Sequence, residues 1–360
     1  MLRILLLLLV LLGAPALLPA QVQAVAEAIL EDGPYILWKG REARVLKVRD
    51  GKLQETVHTG PFSLDLPGLA PAPLRLDPRA LVPDPAEYPL PPKILAVSDV
   101  HGNLRALTNL LKAHGVMDAD LRWSFGRGHL VVVGDVFDRG PNATEVFWLI
   151  RSLEAQAQKA GGRVHMLLGN HEAMVLKGDL RYLHPKYQKL LRGTLPLGLP
   201  ELYGPESELG RWLRTRSTLL RLGSYLFVHG GISPAFTKEG FTIDRANALV
   251  RKGLDAPRAD EATAFLMGAQ GPLWYRGLVP KPMSFEYLPD AVVEATLKAL
   301  GARTVVIGHT PHTRLQGFHG GRVYAIDAGI LEGLPGEVWI CEGLRLFKGL
   351  ADGSREALVP

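Results

Sequence analysis

Cysteine is almost absent from this chain of 360 residues. Cys341 is the only one, so no internal disulfide can staple the fold and stability must come from packing. It lies in the run Glu337-Val338-Trp339-Ile340-Cys341, which reads as a strand with a small buried apolar residue at its end. Charge of one sign is scarce too. The net charge is +5 with the basic residues dispersed, which attracts anionic substrates weakly and gives no nucleic-acid footprint. Past the first two dozen residues there is no long apolar run, so no later stretch can span a bilayer. An apolar fraction of 47% excludes a largely disordered chain. No internal repeat is visible.

The N-terminus is the exception. Arg3 precedes an apolar run from Ile4 to Leu18, and small residues follow, with cleavage expected after Ala20 or Ala24. That layout is a secretory signal peptide over residues 1–24, the alternative being an uncleaved anchor, for which the run is short. The expected location is therefore periplasmic or secreted, with no stable membrane insertion once the leader is removed. Residues 25–60 read as a small β segment, with Tyr35-Ile36-Leu37-Trp38 and Ala43 to Val48 as strands and Asp50-Gly51 as a hairpin turn. Residues 61–92 hold ten prolines, too many for a ladder or a helix because each lacks the amide donor. They are expected to form an extended connector along the main domain, or a linker.

From residue 93 to 350 apolar runs alternate with amphipathic ones. Ile94 to Val97, Leu130 to Val133 and Val164 to Leu168 read as buried strands, and Leu104 to Lys112 and Ala143 to Leu153 as helices between them. The fold class is α/β with parallel strand pairs. A β-rich half follows, with strands at Tyr225 to Val228, Thr304 to Ile307, Val323 to Ile326 and Val338 to Cys341. Polar motifs follow most of these strands directly, and open α/β sheets bind ligands at their carboxyl edge.

Six segments carry chemistry: Ser98 to Asn103, Gly134 to Gly140, Gly169 to Glu172, His229-Gly230-Gly231, Trp274 to Gly277, and Gly308-His309-Thr310. Asp99 and His101 alternate off a strand end and can reach one point. Asp135 closes the next strand and can bridge two cations, and Asn170, His229 and His309 complete a second position. This oxygen and nitrogen set suits manganese, iron or zinc better than calcium or magnesium. A metal pair sharing Asp135 would acidify a bridging water, giving hydroxide for in-line attack on phosphorus. Arg139 and Arg276 offer planar forks for phosphate oxygens. His171 is the candidate acid that protonates the leaving oxygen, with Asp138 holding its tautomer. Glu172 is expected to support the ligands, Asp327 to orient His309, and His312 to lie beside the metals or meet substrate. His58, His114, His129, His165, His184 and His319 read as ordinary polar or core side chains. The cations between His171 and His229 read mostly as solvated helix faces, a few of them lining the substrate entrance.

Asp99-Val100-His101-Gly102, Gly134 to Gly140, Gly169 to Glu172 and His229-Gly230-Gly231 together resemble the phosphoprotein phosphatase branch of the calcineurin-like metallophosphoesterases. Gly271 to Arg276, Gly178-Asp179-Leu180-Arg181-Tyr182 and Gly308-His309-Thr310 are similar to the bacterial Shewanella-like protein phosphatases. The resemblance covers roughly residues 93–350. It implies a β-sandwich flanked by helices, two metal ions, and hydrolysis of phosphoprotein or small phosphomonoesters without a phosphoenzyme. A nucleotide or dinucleoside polyphosphate hydrolase on the same centre is the alternative. The Asp138-Arg139 pair argues against it, since those hydrolases commonly depart from that pair. Two departures stand out. His309 and His312 are three apart where general phosphoesterases carry Gly-His-x-His, and Gly-His-Thr differs from the Arg-Ala-His of the eukaryotic serine/threonine enzymes.

Overall fold

The computed structural model describes residues 30–280 and 285–358; the expected leader lies outside them. Two six-stranded sheets form its centre. In the first, Lys93–Val97, His129–Val132 and Arg163–Met166 run parallel, and Glu337–Glu342 pairs antiparallel with Lys93–Val97. In the second, Tyr225–Val228, Thr304–Ile307 and Val323–Ala325 run parallel, and Leu219–Leu222 pairs antiparallel with the first of these.

The side-chain period of two divides each strand between two cores. Ile94, Ala96, Val131, Val133, Phe227, Val306, Trp339 and Cys341 face inward and cluster between the sheets. Leu95, Val97, Leu130, Val132, Leu226, Val228, Val305 and Ile307 belong to the larger core that packs under the helices. Strands buried on both faces explain why their sequence reads as unbroken apolar runs. Cys341 sits inside the sandwich, as its apolar surroundings implied.

The crossover helices form where period 3.6 takes over. Leu104–Ala113 is capped by the Asn103 side chain, which accepts the Ala106 N–H, and it buries Ala106, Leu107, Leu110 and Leu111 on one stripe. Ala143–Lys159 buries Val146, Phe147, Ile150, Leu153 and Ala157. No helix among the described residues is long and apolar enough to cross a membrane.

The N-terminal segment is a three-stranded antiparallel sheet, Asp32–Lys39, Glu42–Arg49 and Lys52–Thr59, with left-handed Asp50 and Gly51 at its second turn. It is sewn to the catalytic half. Trp38 donates from its indole to Glu208 Oε2 (2.8 Å) and from its amide to the Glu206 carbonyl (2.8 Å), and the Trp148 indole donates to the Pro34 carbonyl (2.9 Å).

The proline-rich stretch departs from the expectation that it is too poor in donors for a ladder. Phe62–Leu64 pairs with Leu74–Leu76, and Glu87–Tyr88 adds a parallel edge to the second sheet through Arg221 and Leu222. The prolines fall between these short strands, and two or three donors suffice for an edge. Several of the inserted cations have partners, although Lys177, Arg181, Lys189 and Arg192 stay exposed as expected of solvated faces. Lys177 donates to the Gly253 carbonyl (3.0 Å), Arg181 pairs with Asp179 (2.7 Å), Arg214 with Asp255 (2.8 Å), and Lys186 with Glu145 (3.0 Å).

Candidate metal centre

The parallel strands of both sheets deliver their carboxyl ends to one edge, and the six motif segments meet there. The chain turns sharply at each. Of nine non-glycine residues with left-handed backbone among the described residues, six are Asp99, His101, Asp135, Asp138, Arg139 and His309. Such conformations are costly and persist only where the surroundings impose them. Two glycines permit the approach of neighbouring loops. A Cβ on Gly134 would lie 2.7 Å from the Gly169 Cα, and one on Gly169 would lie 2.1 Å from Asp135 Oδ1.

Asp135 is the hub. Its Oδ1 accepts the His171 amide (3.0 Å), which leaves Oδ2 facing His229 Nε2 at 3.2 Å and the Nε2 atoms of His101 and His171 at 3.9 Å. The histidine rings are held from behind. His101 Nδ1 meets the Phe137 carbonyl (2.9 Å) and His229 Nδ1 the Val133 carbonyl (2.8 Å), so each directs Nε2 inward. Asn170 Oδ1 lies 2.9 Å from His229 Nε2. Asp99 accepts the His309 amide at 3.0 Å. Two sets of ligand atoms result, each within 4.8 Å of one another: His101, Asp135 and His171, and Asp135, His229 and His309.

These donors fit a metal site. His309 Nε2 is buried and has no hydrogen-bond partner, an orphan that a cation would satisfy. Burial, together with the charges of His229 and Arg276, holds His309 well below its ordinary pKa, so its ring is neutral and its lone pair is free. Burial and the neighbouring Asp135 push the Asp99 carboxyl up. Against the cost of burial, His229 and His171 hold Asp135 far below the usual carboxylate range. Burial opposes a charged His229, yet Asp135 and Asp99 carry it up to about 10. Imidazole protons balance the buried carboxylates here, and a bound cation would displace them.

Beside the cage, His171 Nδ1 donates to Asp138 Oδ2 at 2.6 Å. Burial disfavours a charged His171, but Asp135 and Asp138 raise its pKa above the ordinary value. Arg276 is half-buried and donates to the His309 carbonyl (2.5 Å) and to Thr310 Oγ1 (3.2 Å). Arg139 is exposed, and its guanidinium carbon lies 3.9 Å from the centre of the Tyr182 ring.

All ten residues expected from the motifs thus gather at this edge. Glu172 has a larger part than the sequence disclosed. Fully buried, it accepts the amides of Asp135 (2.8 Å), Val136 (2.8 Å), Phe137 (3.1 Å) and Gly169 (2.8 Å), clamping two ligand loops together. The expected role of Asp327 needs correction. The His309 ring lies against Arg276 Nη2 (3.4 Å) and the Trp274 backbone, while Asp327 uses its carbonyl to accept the His312 amide (3.0 Å). His312 lies outside both ligand sets, its Nδ1 2.7 Å from the Thr310 carbonyl. Tyr182 was missed as a site residue; the Gly178 to Tyr182 motif was its only sequence signal.

Comparison with known proteins matches this edge to one family. The model for calcineurin-like phosphoesterases matches residues 92–313. The solved structure of a cold-active protein tyrosine phosphatase from a psychrophilic Shewanella species superposes with a TM-score of 0.83 at 36% identity, covering 91% of this chain and 99% of that one. A Shewanella-like protein phosphatase 2 of Arabidopsis thaliana is 26% identical over 74% of this chain and 75% of its own length. A symmetrical bis(5'-nucleosyl)-tetraphosphatase of Methylococcus capsulatus is 31% identical, but over 41% of this chain and 45% of its own.

Proposed function

Since the chain belongs to the calcineurin-like phosphoesterases, in their phosphoprotein phosphatase branch, it is a metal-dependent phosphoester hydrolase, and we propose that it hydrolyses phosphomonoesters on protein, phosphotyrosine among them. The observation that carries this reading is the 2.6 Å His171–Asp138 pair standing beside the buried donor cage. Asp99, His101 and Asp135 would hold one ion, and Asp135, Asn170, His229 and His309 a second, of manganese, iron or zinc. When bound, such a pair supplies an activated water and positive charge against the phosphate.

The remaining work falls to the chain. Arg276 and Arg139 flank the cage and present forks that match two phosphate oxygens each, offsetting the charge that builds during in-line displacement. His171 offers the proton for the departing oxygen from Nε2. Asp138 fixes its tautomer from the other side of the ring, as an acid–orienter pair requires. A leaving tyrosine, serine or threonine oxygen would take that proton directly, which accords with a monoester. The name of the Shewanella relative supports phosphotyrosine as one substrate. We further propose export, because residues 1–24 have the layout of a cleaved leader.

The test is a substrate panel. The purified protein loaded with manganese is offered phosphotyrosine, phosphoserine and phosphothreonine peptides, a phosphodiester and a dinucleoside tetraphosphate. Faster turnover of the peptides is expected. Preference for the tetraphosphate would establish the nucleotide hydrolase instead, the reading favoured by the Methylococcus relative's name. N-terminal sequencing of protein from fractionated cells tests export.

A further inference from the structure

Arg139 presents a physical problem. It is exposed, it follows Asp138 in a second consecutive left-handed residue (φ 67° after 68°), and a solvent-facing arginine samples many rotamers. Bidentate recognition needs one orientation. The structure supplies the restraint from a distant segment. Tyr182 lies in the loop after the helix Asn170–Leu176, the same helix that carries His171. Its ring lies under the Arg139 guanidinium at 3.9 Å, and its carbonyl accepts the Arg139 amide at 3.0 Å. The ring also packs against His171, centroid to centroid 5.4 Å. The loop is itself anchored: the Asp179 amide donates to the Met174 carbonyl (2.8 Å), and Arg181 grips both Asp179 oxygens (2.9 and 2.7 Å).

We propose that Tyr182 is a positioning residue for phosphate recognition: its ring is the platform that sets the Arg139 fork beside His171, and its carbonyl holds the strained backbone beneath that fork. The inference rests on the phosphoesterase reading only in assigning Arg139 to phosphate. Ring and guanidinium interact through the π face, so the phenol oxygen is dispensable and the aromatic face is not.

The experiment measures the affinity of the manganese-loaded full chain for inorganic phosphate by calorimetry, beside kcat and KM on a phosphotyrosine peptide. Wild type is compared with Tyr182→Leu, Tyr182→Phe, Arg139→Ala and the Arg139→Ala/Tyr182→Leu double variant. Tyr182→Leu is expected to weaken phosphate binding and raise KM by about ten-fold, with a smaller change in kcat. Tyr182→Phe should restore binding to within about two-fold of wild type. The double variant should be no weaker than Arg139→Ala, because the platform acts only through the fork. Equal damage from Phe and Leu, or losses that add in the double variant, would overturn the proposal. An Arg139→Ala variant that binds phosphate normally would overturn it as well. Failure of the monoesterase reading shows differently, as preference for a polyphosphate with the phosphate-binding pattern intact.

Discussion

Replacing Glu172 by glutamine tests how the centre is held together. The carboxylate accepts four backbone amides at 2.8–3.1 Å, from Asp135, Val136, Phe137 and Gly169. It is fully buried, so water cannot take over those donors. Glutamine keeps one oxygen and can satisfy one pair. Its NH₂ group then faces the other pair donor to donor. Hydrogen bonds to a charged acceptor contribute roughly 1.5–3 kcal/mol each, so losing two costs about 3–6 kcal/mol. A domain's whole stability is on the order of 5–15 kcal/mol, so the fold is strained but not necessarily lost. The strain falls between Asp135 and Asn170, two expected ligands. Even about 3 kcal/mol transferred to metal binding weakens it about a hundred-fold. Urea unfolding and elemental analysis after dialysis against a weak chelator measure the two effects. If Glu172→Gln unfolds at the wild-type midpoint and keeps its metal, the clamp is not what holds the loops.

Other outcomes can be stated briefly. His171→Ala should retain metal while losing about 10²–10⁴-fold in turnover, the usual worth of a positioned acid, whereas Asp135→Ala should lose metal. Elemental analysis decides; loss of metal from the histidine variant would make His171 a ligand, as its place in one donor set allows. Asp32 is buried, and burial lifts its carboxyl from 3.8 to about 6, with Lys186 opposing and Glu145 adding to the shift. The folded state therefore holds this proton more tightly. Its stabilisation is complete below about pH 4 and disappears as pH rises through about 6, a loss of about 3 kcal/mol by pH 7. The stability difference between wild type and Asp32→Asn, followed by urea unfolding from pH 4 to pH 7, should trace that curve, and a flat difference would refute it. Cys341, buried in the sandwich, should resist thiol reagents until the protein is unfolded.

Much of this protein could be read locally. A buried strand followed at once by Asp-x-His, Gly-Asp or Gly-His places a ligand at a sheet edge, because a strand ends where its apolar run ends and the polar residue comes next. Hence the strand-end positions of Asp99, Asp135, His229 and His309 were legible, as were the crossover helices with their 3.6-residue stripes, while the metal-ligand reading came from the six segments taken together and from no one of them alone. The short strands among the prolines were not, since two or three paired amides leave no periodic trace. Nor were the partners of the site. That Glu172 faces the amides of residues 135–137, that Tyr182 underlies Arg139, and that the His309 ring leans on Arg276 and the Trp274 backbone rather than Asp327 are all contacts between distant segments. Local pattern encodes which face of an element is buried. Which side chain meets which across the gap depends on how two sheets stack and where their loops descend, and only the folded chain decides that.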